Sequence, residues 1–180
     1  ELGLVLSEIL NAAAKVALRK CVGDSKLLRR PKGAMDSGVY PMHFPRPSGT
    51  SGMPSGHSQS IVIVAVALTS AVLDDRRAAV EAELGKTVDL GQLLSRFRTA
   101  VPLCYIWLIA VTVMCSRTRF GGPFAVQVEG RKIAHHTVLQ VLVGGLSGMC
   151  LGMAGVEFRR GRRGWFRWVL AYGLVTGLVG

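Results

Sequence analysis

Long apolar runs constrain this chain more than any other feature of its sequence. The cleanest run covers 58–73 (SQSIVIVAVALTSAVL), and three more cover 100–115, 134–156 and 165–179. A soluble helical bundle would show polar residues at the helical period, and these runs lack a polar face. A helix that crosses a bilayer needs about 20 mainly apolar residues. The runs therefore predict membrane-spanning helices.

Composition agrees with that prediction. The 180 residues are 49% apolar and 18% charged, which is too apolar for an ordinary soluble domain of this size. With a further helix over 2–19, we expect an all-α polytopic bundle of about five membrane helices in a single domain, 1–180. The predicted terminal helix lies within 164–180.

The charged residues lie mostly between the apolar runs. The net charge of +11 comes without a basic helix typical of nucleic-acid binding, so we expect membrane lipids and no nucleic acid as partners. The charged stretch 74–98 predicts a pair of amphipathic surface helices. The four cysteines form no CxxC pair, and neither a disulfide framework nor a metal site is predicted.

The sequence Pro54-Ser55-Gly56-His57 stands at the start of the cleanest run. A helix N-terminus offers free backbone N–H groups and a positive dipole end, which suits phosphate. Histidine adds a group that can donate a proton near neutral pH. The alternative is a simple helix cap in which Ser55 or Ser58 satisfies the first amides.

Helix parity predicts that a second histidine comes to the same membrane face. The loops 20–53 and 117–133 emerge together if the last four helices all span, and they bring Arg29-Arg30, Ser116-Arg117 and His135-His136 toward His57. Two histidines with arginines between them suit phosphoryl transfer, one attacking phosphorus and one protonating the leaving oxygen. The two loops contain few carboxylates, which disfavours a two-metal phosphatase. A haem ligated by His57 and His136 is a further alternative without other support.

Gln140 follows His136 by four residues, which places both on one face of a predicted helix. We expect Gln140 to accept a hydrogen bond from one ring nitrogen of His136; the alternative is a buried bond between helices. The glycines Gly144, Gly148 and Gly152 continue this spacing and predict close approach of another helix.

These motifs resemble those of the type 2 phosphatidic acid phosphatase superfamily, whose members are membrane lipid phosphatases and vanadium haloperoxidases. The family pattern is Lys-x6-Arg-Pro, Pro-Ser-Gly-His, and Ser-Arg-x5-His-x3-Asp. The second motif is intact at 54–57, and the third is recognisable in Ser116-Arg117, His136 and Gln140. The resemblance covers about 11–155. The stretch His136-Thr137-x-x-Gln140 with its apolar Gly-Gly sequence, and Met53 and Gln59 around the second motif, are similar to the dolichyl diphosphatase branch.

The resemblance implies a metal-independent hydrolase without a cofactor, acting on a lipid phosphate or diphosphate, with a polyprenyl diphosphate favoured. It implies His136 as the nucleophile that forms a phosphohistidine and His57 as the general acid. Phosphate would be bound by the arginines, the second-motif residues and the lysine of the first motif: Arg30, Arg117, Ser55, Gly56 and Lys15. It also implies an integral membrane location, in the endoplasmic reticulum or another organelle.

Three departures from the pattern motivate an alternative function. Gly23 stands where the first-motif lysine is expected, so Lys15 is the substitute, with Lys20 and Lys26 as further candidates. Eighteen residues separate Arg117 from His136, and Arg131 is a second candidate for the arginine. Gln140 replaces the usual Asp. The alternative is a catalytically impaired member of the same fold that serves as a structural subunit of a larger membrane complex, for example in the mitochondrial inner membrane.

Overall fold

The computed structural model describes residues 2–23, 25, 28–31, 34, 52–118, 127–128, 131–132 and 135–177. Within these ranges the chain is helical apart from one very short strand pair. The elements are α1 (Leu2–Val22), α2 (Gly56–Leu84), α3 (Leu90–Leu94), α4 (Phe97–Ser116), β1 (Gln127–Val128), β2 (Arg131–Lys132), α5 (Val138–Arg159) and α6 (Trp165–Gly177). The predicted all-α class is confirmed.

Helix α2 is the centre of the bundle. It packs against α5, α4 and α1, and α5 packs in turn against α6. The α2–α5 contact is close because glycines line it: a Cβ at Gly144 would lie 2.5 Å from the Ser55 carbonyl, and one at Gly152 would lie 2.9 Å from Val66 Cβ. A Cβ at Gly148 would overlap the Gln59 carbonyl. The close approach predicted from this glycine spacing is confirmed.

Helix α2 is longer than the apolar run that predicted it. It continues to Leu84 through residues with good helix propensity and ends at Gly85, whose φ of 64° is in the left-handed region that glycine adopts without strain. The predicted surface helix pair over 74–98 is therefore wrong in its first half, which is the end of α2. The second half contains the single-turn helix α3.

Three helices are long and apolar enough to cross a membrane: Gly56–Leu84, Phe97–Ser116 and Val138–Arg159. Their outward faces carry exposed leucines, as expected for lipid-facing helices: Leu68, Leu108, Leu142 and Leu146. Helix α6, with 13 described residues, rises only about 20 Å at 1.5 Å per residue. Helix α1 contains Glu8 and Lys15 and packs beside α2 and α6. The count of five spans remains a prediction.

The ends of the three long helices meet on one side of the bundle. The amide of Ser55, at the start of α2, donates to the Gln140 carbonyl at 3.2 Å, and the amide of His136 donates to the Arg117 carbonyl at 3.1 Å. Arg117 directly follows α4. The start of α2, the end of α4 and the start of α5 are therefore adjacent, as helix parity predicts.

Candidate active site

The Met53–His57 turn is built into the bundle rather than projecting from it. Met53 and Ser55 are fully buried, and the Ser55 hydroxyl caps α2 by accepting from the Ser58 amide at 3.5 Å and from the Ser58 hydroxyl at 3.0 Å. Ser55 is thus a cap that holds the turn, as the simple cap interpretation predicts. Gln59 is the first residue of α2 whose amide donates to a backbone carbonyl. The Gly56 and His57 amides lie before it, at the positive end of the helix dipole.

His136 has a defined ring orientation. It is 4% exposed, and its Nδ1 lies 3.0 Å from the carbonyl oxygen of Gly52. A carbonyl only accepts, so Nδ1 carries the proton and Nε2 keeps its lone pair. Burial, followed by the Arg30 charge, lowers the pKa of His136 to about 3, although the bond to Gly52 acts in the opposite direction. The ring is therefore neutral at physiological pH, with an available lone pair on Nε2.

Gln140 does not orient His136. Its Oε1 accepts from the Thr137 amide at 3.1 Å, and Thr137 Oγ1 accepts from the Gln140 amide at 3.2 Å, which together form a capping box. Its Nε2 donates to the Arg29 carbonyl at 2.9 Å. Helix α5 begins only at Val138, so His136 precedes the helix and the predicted shared helical face does not exist. Gln140 instead holds the segment that carries Arg30.

Cations converge on the two histidines. His136 interacts electrostatically with Arg30, Lys15 and His57. His57, which is exposed, interacts with Arg117, Arg30 and the buried His135. Burial lowers the pKa of Arg117 from its ordinary value, which still leaves the guanidinium charged. Lys15, Arg30 and Arg117, from separate parts of the chain, therefore each lie within electrostatic range of at least one of the two predicted catalytic histidines.

Helix α1 contributes to the site through one face. Asn11 Nδ2 donates to Gln59 Oε1 at 3.0 Å, and Gln59 Nε2 donates to the Ser7 hydroxyl at 2.8 Å. All three side chains are buried, so this network fixes α1 against the start of α2. Glu8 and Lys15 lie on the same face of α1 as Asn11, three residues before it and four residues after it. The position of Lys15 on this face explains how it lies near the site although it is not at the lysine position of the first motif.

Glu8 and Gly52 are site residues that the sequence analysis missed. Glu8 Oε1 accepts from the Ser60 hydroxyl at 2.7 Å, and its carboxylate interacts with His57. A Cβ at Gly52 would lie 2.6 Å from Gln140 Oε1, so a larger residue there would displace the Gln140 side chain. Glu8 could have been recognised from the sequence, because it is an acidic residue inside a predicted apolar helix. The Gly52 carbonyl could not, because every residue carries a backbone carbonyl.

The long insertion in the third motif begins and ends at neighbouring positions in the structure. The Arg117 carbonyl accepts from the amides of both His135 and His136 at 3.1 Å. The intervening chain contains the β1–β2 pair, in which Gln127 lies opposite Lys132 and Val128 opposite Arg131. The side chain of Arg131 and the whole of Lys26 lie outside the described residues. The structure therefore places Arg117 next to His136 through these backbone hydrogen bonds.

No protein-family model matches this chain, and neither the curated proteins nor the solved structures contain a match to it.

Proposed function

We propose that this chain is a multi-pass membrane phosphatase that hydrolyses a lipid phosphate or diphosphate, with a polyprenyl diphosphate as the favoured substrate. Helices α2, α4 and α5 cross the bilayer, and the active site lies at the membrane face where their ends meet. The observation that carries the proposal is that the turn before His57 is hydrogen-bonded to the segment of His136, 79 residues away, and that Lys15, Arg30 and Arg117 lie within electrostatic range of these histidines.

The geometry supports a two-step reaction. Nε2 of His136 attacks the terminal phosphorus, the bond to the leaving oxygen breaks, and protonated His57 gives its proton to that oxygen. Water then attacks the phosphohistidine, His57 takes a proton from the water, and the phosphorus–nitrogen bond breaks to restore His136 and release phosphate. The cationic side chains stabilise the charge on the transferring phosphoryl oxygens.

The charge distribution favours a phosphate substrate over a neutral lipid. Two arginines and a lysine lie within electrostatic range of the histidines, and guanidinium groups bind phosphate bidentately. Glu8 is the acidic partner of His57 among the described residues. Its carboxylate opposes part of the positive charge around His57. We place the protein in the endoplasmic reticulum or another organelle membrane.

The test is phosphate release from polyprenyl diphosphate by the full chain in nanodiscs. We expect release that is insensitive to EDTA, inhibited by vanadate and reduced to background in His136→Ala. His57→Ala should lower kcat by about 10²–10⁴-fold, the usual contribution of general acid catalysis. Gly155→Ala is the matched control, because a Cβ at Gly155 meets nothing within 4 Å.

Two results would contradict the proposal. Undiminished release by His136→Ala would remove this residue as the nucleophile. A wild-type chain that releases no phosphate from polyprenyl diphosphate or from phosphatidate would favour the alternative, a structural subunit of a larger membrane complex.

A further inference from the structure

The connection between α5 and α6 forms a distinct basic surface far from the candidate active site. We call residues 158–167 the arginine turn. It contains five arginines, namely Arg159, Arg160, Arg162, Arg163 and Arg167. All five are exposed, and the tight connection at Gly161, with a φ of 65°, keeps them within a few residues of the helix ends.

The arginine turn lies about one bilayer thickness from the site. Arg160 Nη2 contacts Asp74 Oδ1 at 2.6 Å, and Arg159 Nη2 donates to the Ser70 hydroxyl at 3.1 Å. Asp74 is 18 residues beyond Gly56 along α2, a rise of about 27 Å. The hydrocarbon core of a bilayer is about 30 Å thick. If the site is at one membrane face, the arginine turn is at the other.

Aromatic side chains mark the turn as a membrane–water interface. Phe158 and Trp165 pack edge to face with ring centroids 6.3 Å apart, and Trp165 packs in the same way on Phe166. Phe158 is 71% exposed and Phe166 is 55% exposed. Tryptophan is enriched where helices meet the lipid headgroups, so the exposed Trp165 in this cluster is consistent with guanidinium groups at headgroup depth.

The arginine turn carries more positive charge than the neighbouring carboxylates, Asp74 and Glu157, neutralise. Asp74 accepts the contacts of Arg160 and Arg159, and Glu157 contacts Arg162 at 3.4 Å. Five guanidinium groups beside two carboxylates leave an excess of three positive charges at headgroup depth. The planar guanidinium fork matches a phosphate group, which it binds through two parallel hydrogen bonds.

We propose that the arginine turn binds the headgroup of an anionic phospholipid, whose phosphate the guanidinium groups contact and whose net negative charge neutralises the excess positive charge. The proposal rests on the part of the proposed function that places α2 and α5 across a bilayer, and it is independent of catalysis. Its occupant is an anionic lipid of the leaflet opposite the candidate active site. Arg162 and Arg163, at the exposed tip between the helices, are the expected principal contacts.

Trp165 is a built-in probe for this lipid. In a Trp107→Phe/Trp168→Phe background, Trp165 is the one remaining tryptophan, since the chain has three. The full chain is placed in nanodiscs of phosphatidylcholine and phosphatidylserine in which either lipid carries bromine, at equal mole fractions of brominated lipid. We expect stronger quenching by brominated phosphatidylserine, with about five-fold enrichment for each arginine engaged, and loss of that preference at high salt.

Variants distinguish lipid binding by the arginine turn from a general effect of positive charge. Arg162→Ala/Arg163→Ala should abolish the preference, and Arg162→Lys/Arg163→Lys should retain part of it because charge is kept while bidentate binding is lost. Arg96→Ala/Arg98→Ala removes the same charge near the start of α4 and should leave the preference intact. Equal quenching by the two brominated lipids, or an equal loss in the Arg96/Arg98 control, would overturn the proposal. So would quenching by neither lipid. Phosphate release is measured separately, so failure of either proposal leaves the other standing.

Discussion

At the scale of single residues, His136 is held by a backbone oxygen and not by a side chain. The Gly52 carbonyl fixes the tautomer that leaves Nε2 available, and Gln140 fills the space beside Gly52. The motif that the sequence resembles has an acidic residue at the position of Gln140, but His136 does not lack an orienting partner, because the Gly52 carbonyl supplies it. Without a negative charge at this position the protonated ring is not favoured, and the neutral ring is the nucleophilic form.

The low pKa of His136 gives a prediction about acid titration. An unfolded histidine titrates near pH 6.5, whereas burial and Arg30 hold the pKa of His136 near 3. Between about pH 6.5 and 3 the unfolded chain binds a proton that the folded chain does not, so the free energy of unfolding falls as the pH falls through this window. Above pH 6.5 the residue makes no pH-dependent contribution.

The measurement is NMR of the protein with 13C-labelled histidine rings, assigned with His136→Ala. We expect the His136 resonance to keep its neutral-ring position from pH 8 to pH 5. A midpoint near 6.5 would show that the ring is not buried among cations.

At the scale of elements, the glycine-lined contact between α2 and α5 positions the site. Ser55 and Gln140 are hydrogen-bonded across it, so any separation of the helices moves the histidine-bearing turns apart. The contact needs glycine at Gly148, because a Cβ would overlap the backbone carbonyl of Gln59, which has no flexible end to move aside.

Gly148→Ala should therefore destabilise the protein by about 1–3 kcal/mol, the usual cost of overpacking. Gly155→Ala, in the same helix with open space around its Cβ, should be neutral or stabilising by up to about 1 kcal/mol, because alanine favours the helix more than glycine does. Unfolding in mixed micelles compares the two variants. Equal stability of both would show that the helices do not approach as closely as described.

At the scale of the whole molecule, the bundle separates two groups of charged side chains. The histidines and their cations lie at one end of α2, and the Asp74–Arg160 pair lies about 27 Å away along it. Exposed apolar side chains cover the helices between these ends. The proposed membrane placement thus predicts that the two ends face opposite compartments.

Sided labelling tests this arrangement. Cys21, exposed at the end of α1 on the site side, is retained as the one cysteine in the first variant. The second variant has no native cysteine and carries Arg163→Cys. A membrane-impermeant maleimide should label the two variants from opposite sides of sealed vesicles, with the pattern exchanged in inverted vesicles. Labelling of both from the same side would contradict the placement of α2 and α5 as spans.

Much of the architecture was predictable from the sequence. Apolar runs such as 58–73 predict the helices because chain length and hydropathy are local properties. Helix parity then predicts that His57 and His136 meet. The glycine spacing at Gly144 and Gly148 predicts a close helix contact. The helix ends were less predictable: α2 continues through charged residues whose helix propensity outweighs their polarity, and the Thr137 capping box starts α5 two residues after His136.

The helical class, the candidate spans and the pair of histidines follow from residue type and spacing along the chain. Which atoms orient those histidines depends on how the helices pack. The Gly52 carbonyl, the Glu8 carboxylate and the register of Lys15 on α1 act across 49 or more residues of sequence, through backbone positions and helix rotation. Contacts between such distant residues cannot be predicted from any local pattern of residues.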